Sequence, residues 1–301
     1  MSSDGVRTVG VVGAGRVGAV LAAALRSAGH QIAAVAGESD ASRDRIARLL
    51  PGVRVDKPSA VARACDLLLL TVPDDMLGNV VAMLSASGAI REGQYVAHTS
   101  GRHGLAVLEP ARRRGAHVLA LHPAMTFTGT ALDLDRLPGC WFGVTAGPDT
   151  AALAERLVAD LGGRTIRVPE ERRTLYHAAL AHGANHLVTL VAQSMDLLGE
   201  AGADDPAAVL RPLLEAALGN ALASGDAALT GPIVRGDVET VRAHLADLAA
   251  TAPETLPSYV AMARATANRA VLDGRLLPIR ASKLVGVLND ALAPTGSAGA
   301  R

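Results

Sequence analysis

The sequence predicts an α/β chain: a parallel sheet covered by helices on both faces, followed by an all-helical C-terminal domain. Three observations predict it. The stretch Val9–Val20, VGVVGAGRVGAV, sets glycines at 13, 15 and 18 between an apolar run and an alanine-rich helical pattern. That is the strand–turn–helix context of a dinucleotide-binding fingerprint. From there to Val168 strand and helix patterns alternate with short connections, the rhythm of an open parallel sheet. Beyond Val168 the strand patterns stop and helical ones run to Leu292. The expected parts are a dinucleotide-binding domain (1–168), a helical domain for substrate and dimerisation (169–292) and a flexible tail (293–301).

Arg7–Val12 is the first expected strand and Gly15–Ala28 the first helix. Gly13 allows the tight turn, Gly15 lets a pyrophosphate approach the backbone, and Gly18 lets the helix sit close to the strand. With Arg16 and Val17 these glycines are the first expected cofactor contacts. Gln31–Val35 is the second strand, and Ala36-Gly37 stand where an NAD-specific site commonly carries an acid. Ser39, Ser42 and Arg43, with Arg45 close by, suit the 2′-phosphate of NADP better than a bare ribose, although Glu38 could serve as a late ribose acceptor.

Ser42–Leu50 is helical, Val53–Val55 a short strand and Pro58–Arg63 a short helix. Asp66–Val72 is continuously apolar after its first residue, as a central parallel strand should be. Its end, Thr71-Val72-Pro73, falls at the carboxyl edge where ligands bind, and Pro73 stops the ladder there. Met76–Ala86 is a helix, Gln94–His98 a strand, Leu105–Arg114 a helix and His117–His122 a strand. Trp141–Thr145, Thr150–Leu161 and Thr165–Val168 complete the pattern as strand, helix, strand. Helices are then expected over Glu170–Leu198, Ala207–Ser224, Val238–Leu248, Leu256–Leu272 and Ala281–Leu292.

Bulk composition excludes several functions. With 301 residues, two domains are the default. Lysine plus arginine equal aspartate plus glutamate at 29 each, so there is no basic field for nucleic acid or anionic lipid. The two cysteines, Cys65 and Cys140, make neither a disulfide framework nor a metal cluster, and no apolar leader opens the chain. The run CDLLLLTV is too short to cross a membrane. The chain reads as soluble and cytoplasmic.

Groups able to meet a nicotinamide and its substrate come from three places. The strand ends supply His98, Ser100 and His122; Ser100 suits a cofactor contact and His98 a substrate contact. The long helix supplies Tyr176, His177, His182, Asn185 and His186, with His182, Asn185 and His186 on one face. The loop GPIVRGD (231–237) supplies Arg235, a fork for a substrate carboxylate, and Asp237. His122, Asn185 and His182 are the catalytic candidates. A histidine acid would make reduction weaken as pH rises through the imidazole range. Two histidines without an acid between them are too little for zinc, so no metal is expected.

The segments VGVVGAGRVG (9–18), DLLLLTVPDD (66–75), VAHTSG (96–101), LHPAMTF (121–127) and GPIVRGD (231–237) resemble the "Rossmann-like domain plus DUF2520" family. The first domain also resembles the 6-phosphogluconate dehydrogenase-like enzymes, including pyrroline-5-carboxylate reductase and ketopantoate reductase. The resemblance implies an NADP-type site, a helical second domain and a homodimer. Some members are regarded as an alternative form of ketopantoate reductase. Ketopantoate reductases and β-hydroxyacid dehydrogenases use a helix lysine one turn before an asparagine. Here Ala181 precedes Asn185 by one turn, and no lysine occurs between Lys57 and Lys283. The expected function is an NADPH-dependent reductase of a small 2-oxo acid, with ketopantoate foremost. The alternatives are a dinucleotide-binding regulatory or redox-sensing protein and an oxidoreductase of an imino acid.

Overall fold

The apolar runs of the first half pair into one seven-stranded sheet: β1 (Thr8–Val12), β2 (Gln31–Ala36), β3 (Leu67–Leu70), β4 (Tyr95–His98), β5 (His117–Pro123), β6 (Trp141–Ala146) and β7 (Arg164–Arg167). Their order in this computed structural model, which describes residues 7–292, is β2-β1-β3-β4-β5-β6-β7. β1 lies between β2 and β3, so the crevice beside it is the topological switch point of the sheet. The strands alternate in what they bury. Val9, Val11, Leu67, Leu69, Leu119 and Leu121 join one core with α1 (Arg16–Ser27), α2 (Asp40–Leu49) and α7 (Ala151–Asp160). Val12, Leu68, Leu70, Val96 and Val118 join a second core with α3 (Pro58–Arg63), α4 (Asp74–Ala86) and α5 (Glu109–Arg112) on the other face.

Three expectations are corrected here. The sheet is not wholly parallel: β6 runs antiparallel to β5, with His122 opposite Gly143, and β7 then follows β6 in parallel. The chain after Pro123 stays at the carboxyl edge, where Met125 and Phe127 pack on the α1 core and α6 (Leu132–Arg136) forms. Without a crossover helix back across the sheet, β6 starts where β5 ended and must run the opposite way. The short strand at Val53–Val55 reduces to one bridge, Val55 to Val35. The helix expected over Leu105–Arg114 is a 3-10 turn, Ala106–Leu108, followed by the short α5.

The chain divides into two compact units, 1–184 and 185–301, so the division falls inside the long helix α8 (Arg173–Glu200) rather than at residue 168. Beyond α8 come α9 (Pro206–Ser224), α10 (Pro232–Arg235), α11 (Val238–Thr251), α12 (Leu256–Leu272) and α13 (Pro278–Asp290). Val241, Leu245, Val260, Ala267, Leu284 and Leu288 make the core of this second unit, drawn from α11–α13. α9 contributes little to it, with Leu210 as its buried residue. The tail expected at 293–301 lies outside the described residues.

Candidate active site at the carboxyl edge of the sheet

The three fingerprint glycines are required for different reasons. Gly13 has φ +99°, and a Cβ there would lie 2.7 Å from the Val72 amide nitrogen. A Cβ on Gly18 would overlap the Thr71 side chain and lie 2.5 Å from the Gly13 carbonyl oxygen. Gly15 has ordinary extended backbone, φ −76°, and a Cβ there would meet only the Gly13 carbonyl oxygen, at 3.8 Å. Neither strain nor crowding by the protein explains this glycine; the space beside it is open. At the same point the first-turn amides of α1, from Arg16 to Gly18, have no intrahelical acceptor. An open cradle lined with N–H groups at a helix start fits a dinucleotide pyrophosphate. Thr71 sits behind it: its hydroxyl donates to the Gly13 carbonyl at 2.7 Å, locking the turn instead of facing a ligand. Val72 is half-buried, and Pro73 caps α4 as an exposed lip.

At the end of β2 the expected phosphate contacts are already engaged. Ser39 caps α2, accepting from the Ser42 amide at 3.2 Å and donating to the Ser42 hydroxyl at 3.0 Å. Arg43 folds back on the Glu38 carbonyl (2.6 Å) and the Asp40 carboxylate (2.5 Å). The guanidiniums left over are those of Arg16 and Arg45. Both side chains converge on Gly129, where a Cβ would lie 2.6 Å from Arg45 Nε and 3.1 Å from Arg16 Cγ. Neither makes a hydrogen bond or ion pair among the described residues. Nothing local marks this pairing, because Gly129 is distant in the chain from both.

The two strand-end histidines have different fates. His98 is fully buried. Its Nδ1 accepts from the Ser100 amide at 3.1 Å, which leaves the ring proton on Nε2, 2.8 Å from the Gly104 carbonyl. With both nitrogens engaged, His98 shapes the loop after β4, and its expected substrate contact is withdrawn. Ser100 is buried too, its hydroxyl accepting from the His103 amide at 3.1 Å. It belongs to the same loop scaffold, which corrects its expected role as a cofactor contact.

His122 stands partly exposed on β5. Its Nδ1 lies 3.0 Å from the Tyr176 hydroxyl, and the His177 ring meets it edge-on at 5.9 Å. Gly101 makes room for the pair: a Cβ there would lie 3.0 Å from His122 Nε2 and 2.5 Å from the His177 ring. Gly143 likewise makes room for Tyr176, whose ring would lie 2.5 Å from a Cβ.

The residue that sequence reasoning missed is Arg173, at the start of α8 and buried to 1% exposure. Its Nε donates to the His103 carbonyl at 2.9 Å, Nη1 to the Gly143 carbonyl at 3.0 Å, and Nη2 to the Ser100 carbonyl. Thus one guanidinium ties the loop after β4 to β6 behind His122. Glu170, one turn earlier, accepts from the Leu105 (2.6 Å) and Ala106 (3.1 Å) amides. An arginine in a helix pattern reads as a solvated residue, and nothing local marks this one.

Burial first and the Arg173 charge second push the His122 imidazole down to about 4. His122 is therefore neutral near pH 7, and its expected role as a protonated acid is withdrawn. Burial also pushes His98 down to about 4, from an ordinary value of 6.5. The sign for stability follows. Between these two values the unfolded chain binds more protons, so stability is complete above pH 6.5 and lost as pH falls towards 4. For His98 the loss is about 3 kcal/mol. Urea midpoints measured from pH 7 to 4.5 should fall accordingly, and His98→Gln should flatten the fall; equal slopes in both proteins would refute this.

The remaining candidates lie elsewhere. His182 and Asn185 are exposed on α8, His182 near the end of the first unit and Asn185 at the start of the second. Asp237 is the N-cap of α11, accepting from the Thr240 amide at 3.1 Å and hydroxyl at 2.7 Å. Capping accounts for it, and its expected substrate contact is withdrawn. Arg235 ends α10 with an exposed side chain, and its carbonyl accepts from Arg280 at 3.4 Å. Among the described residues no group of three or more His, Cys, Asp or Glu is placed to hold a metal ion. A cleft of about 960 Å³ opens at the opposite edge of the sheet, near Glu109, Glu155 and Glu170. Those carboxylates are bound to Arg112 and Arg113, to Arg167 and to backbone amides.

Comparison with known proteins agrees with this fold. Residues 3–123 match the family described as a Rossmann-like domain, and residues 140–266 match a domain of unknown function, DUF2520. A candidate NADP oxidoreductase from Bacteroides fragilis is 22% identical, with a TM-score of 0.75 over 87% of this chain and 98% of that one. A protein from Thermotoga maritima is 18% identical, with a TM-score of 0.65 over 88% and 99%. Pyrroline carboxylate reductase from Plasmodium falciparum, solved with NADP bound, is 13% identical, with a TM-score of 0.57 over 93% and 98%. These likenesses are of fold. No curated protein sequence matches.

Proposed function

From a chain that joins a Rossmann-like domain to a DUF2520 domain, we propose an NADPH-dependent reductase of small 2-oxo acids, with ketopantoate the first substrate to test. The open cradle at Gly15, beside the unpaired amides of α1, carries this reading. The cradle would hold the pyrophosphate of NADPH, whose chemistry when bound would be hydride donation to the substrate's carbonyl carbon. The chain's own residues do the rest. Arg45 on α2 offers an uncommitted guanidinium to the 2′-phosphate, taking the part first given to Arg43, and Arg16 offers a second at the pyrophosphate end of the same cradle. His122 is neutral and hydrogen-bonded to Tyr176, whose phenol burial holds in the protonated form, so it polarises the carbonyl oxygen as a hydrogen-bond donor. His177, partly exposed beside it, would pass a proton from solvent to the alkoxide oxygen that hydride addition leaves. His182 and Asn185 remain catalytic candidates on the exposed face of α8, and Arg235 a substrate-carboxylate candidate.

The second unit supports the homodimer reading. α9 leaves Leu218 51% and Leu222 81% exposed in a single chain, one turn apart on the same side of the helix, an apolar stripe suited to a second copy. No described helix is long and apolar enough to cross a membrane, and we place the enzyme in the cytoplasm. A second reading, a dinucleotide-binding regulatory protein, is favoured by one observation: with no lysine between Lys57 and Lys283 and a neutral His122, the site has no fixed strong acid. An imino-acid substrate is the third.

The test is a titration of the purified protein with NADPH and NADH, followed by ketopantoate while nicotinamide absorbance is recorded. NADPH should bind about tenfold tighter or more, and Arg45→Ala should narrow that ratio without weakening NADH, as expected for a charge-assisted contact. Ketopantoate should then drive oxidation. Tight binding without oxidation of NADPH by any 2-oxo or imino acid would favour the regulatory reading, and binding of neither nucleotide would remove all three.

A further inference from the structure

The segment between β5 and α6 does more than join them. Met125 and Phe127 enter the α1-side core. The next residues leave the core and form a turn at Gly129, φ +79°, whose missing side chain is the space taken by Arg45 and Arg16. This turn is held from beneath by Asp133, which is fully buried. Asp133 Oδ2 accepts from the Gly129 amide at 2.7 Å and Oδ1 from the Thr128 hydroxyl at 3.0 Å. A carboxylate buried only to serve its own loop is a costly way to hold a turn, so the shape of this one matters.

The two arginines show what the turn lies across. Arg16 adjoins Gly15, where the pyrophosphate sits in the proposed site. Arg45 stands on α2, which follows β2 and so flanks the place of the adenosine ribose. Gly129 contacts both side chains at once. The turn therefore reaches from the pyrophosphate end to the ribose end of the site, along its rim.

Building on the dinucleotide reading, we infer that residues 124–131 are a strap over the adenosine half of the cofactor, which must lift from Arg16 and Arg45 before the cofactor leaves. Asp133 is its positioning residue. The ligand class is a dinucleotide whose ribose-side phosphates meet the two guanidiniums, with the strap as the wall that keeps them there.

The experiment is NADPH release from the full-length protein, followed by nicotinamide fluorescence after displacement with excess NADP⁺. Asp133→Asn keeps the shape and removes the charge; Thr128→Val keeps the volume and removes one donor. Release should quicken about tenfold or more in Asp133→Asn and several-fold in Thr128→Val, with a much smaller change in the association rate. Thr128→Val keeps the test decisive if Asp133→Asn fails to fold. Release at the wild-type rate in the folded variants would overturn the strap, even if their melting temperatures fall. Equal acceleration for NADPH and NADH would support the strap while refuting a special grip on the 2′-phosphate. Failure of the wild-type protein to bind either nucleotide would overturn the dinucleotide reading and the strap together.

Discussion

Gly15→Val is expected to lower NADPH affinity on the order of a hundredfold or more while moving the melting curve only a little. Its Cβ would enter open space, meeting only the Gly13 carbonyl oxygen at 3.8 Å. Stability should therefore fall by no more than about 1 kcal/mol, the cost of valine in place of glycine at the N-cap of α1. The valine branches would stand between a pyrophosphate and the α1 amides. Two charge-assisted hydrogen bonds lost at about 1.5–3 kcal/mol each account for the fall in affinity. Gly18→Ala should behave in the opposite sense. Its Cβ would overlap Thr71 and approach the Gly13 carbonyl at 2.5 Å, so it should destabilise the fold by about 1–3 kcal/mol. Thermal melts beside fluorescence titrations of both variants decide the matter. If Gly15→Val melts as early as Gly18→Ala, the cradle is structural and the cofactor reading loses its support.

Arg173→Met should cost at least about 3 kcal/mol of stability. The methionine fills much of the volume but leaves the Ser100, His103 and Gly143 carbonyls without their donors, away from water. Arg173→Lys should recover only part, because an ammonium at one point cannot span three carbonyls as a planar fork does. A second readout separates loss of packing from loss of charge. His122 sits at about 4 through burial and then through Arg173, so in Arg173→Met its titration should move towards the ordinary imidazole range, while Arg173→Lys should hold it down. Urea unfolding and imidazole NMR titration supply the two measurements. An unmoved His122 in a folded Arg173→Met protein would show that the guanidinium acts only as a tie.

What the sequence made legible is what local pattern encodes. The Gly13–Gly18 turn, the apolar run of β3 and the change from alternation to continuous helix after β7 are written in neighbouring residues. The direction of β6 was not, because it depends on whether the chain after Pro123 recrosses the sheet, and Met125 and Phe127 keep it at the edge. The site was legible in part. His122 and Tyr176 could be named as candidates from their positions at a strand end and on the long helix, but their contact spans 54 residues. Arg43 and Arg45 look alike in sequence; only Gly129, far along the chain, distinguishes the arginine left uncommitted from the one bound to Asp40. His98 misled for a related reason, since a strand-end histidine looks the same whether its nitrogens face a ligand or its own loop.

The double tie formed by Glu170 and Arg173 bears on how the protein is made. The loop at 100–106 owes four of its backbone partnerships to two side chains that are translated 64 to 73 residues later. A chain ending at Val168, where the strand rhythm stops, would carry every strand of the sheet and yet lack these anchors. Until the ribosome has delivered the first turns of α8, that loop has amides and carbonyls with nothing to bind. The first compact unit therefore closes its own loop only with residues beyond its last strand, from the opening of a helix that lies for most of its length in the second unit.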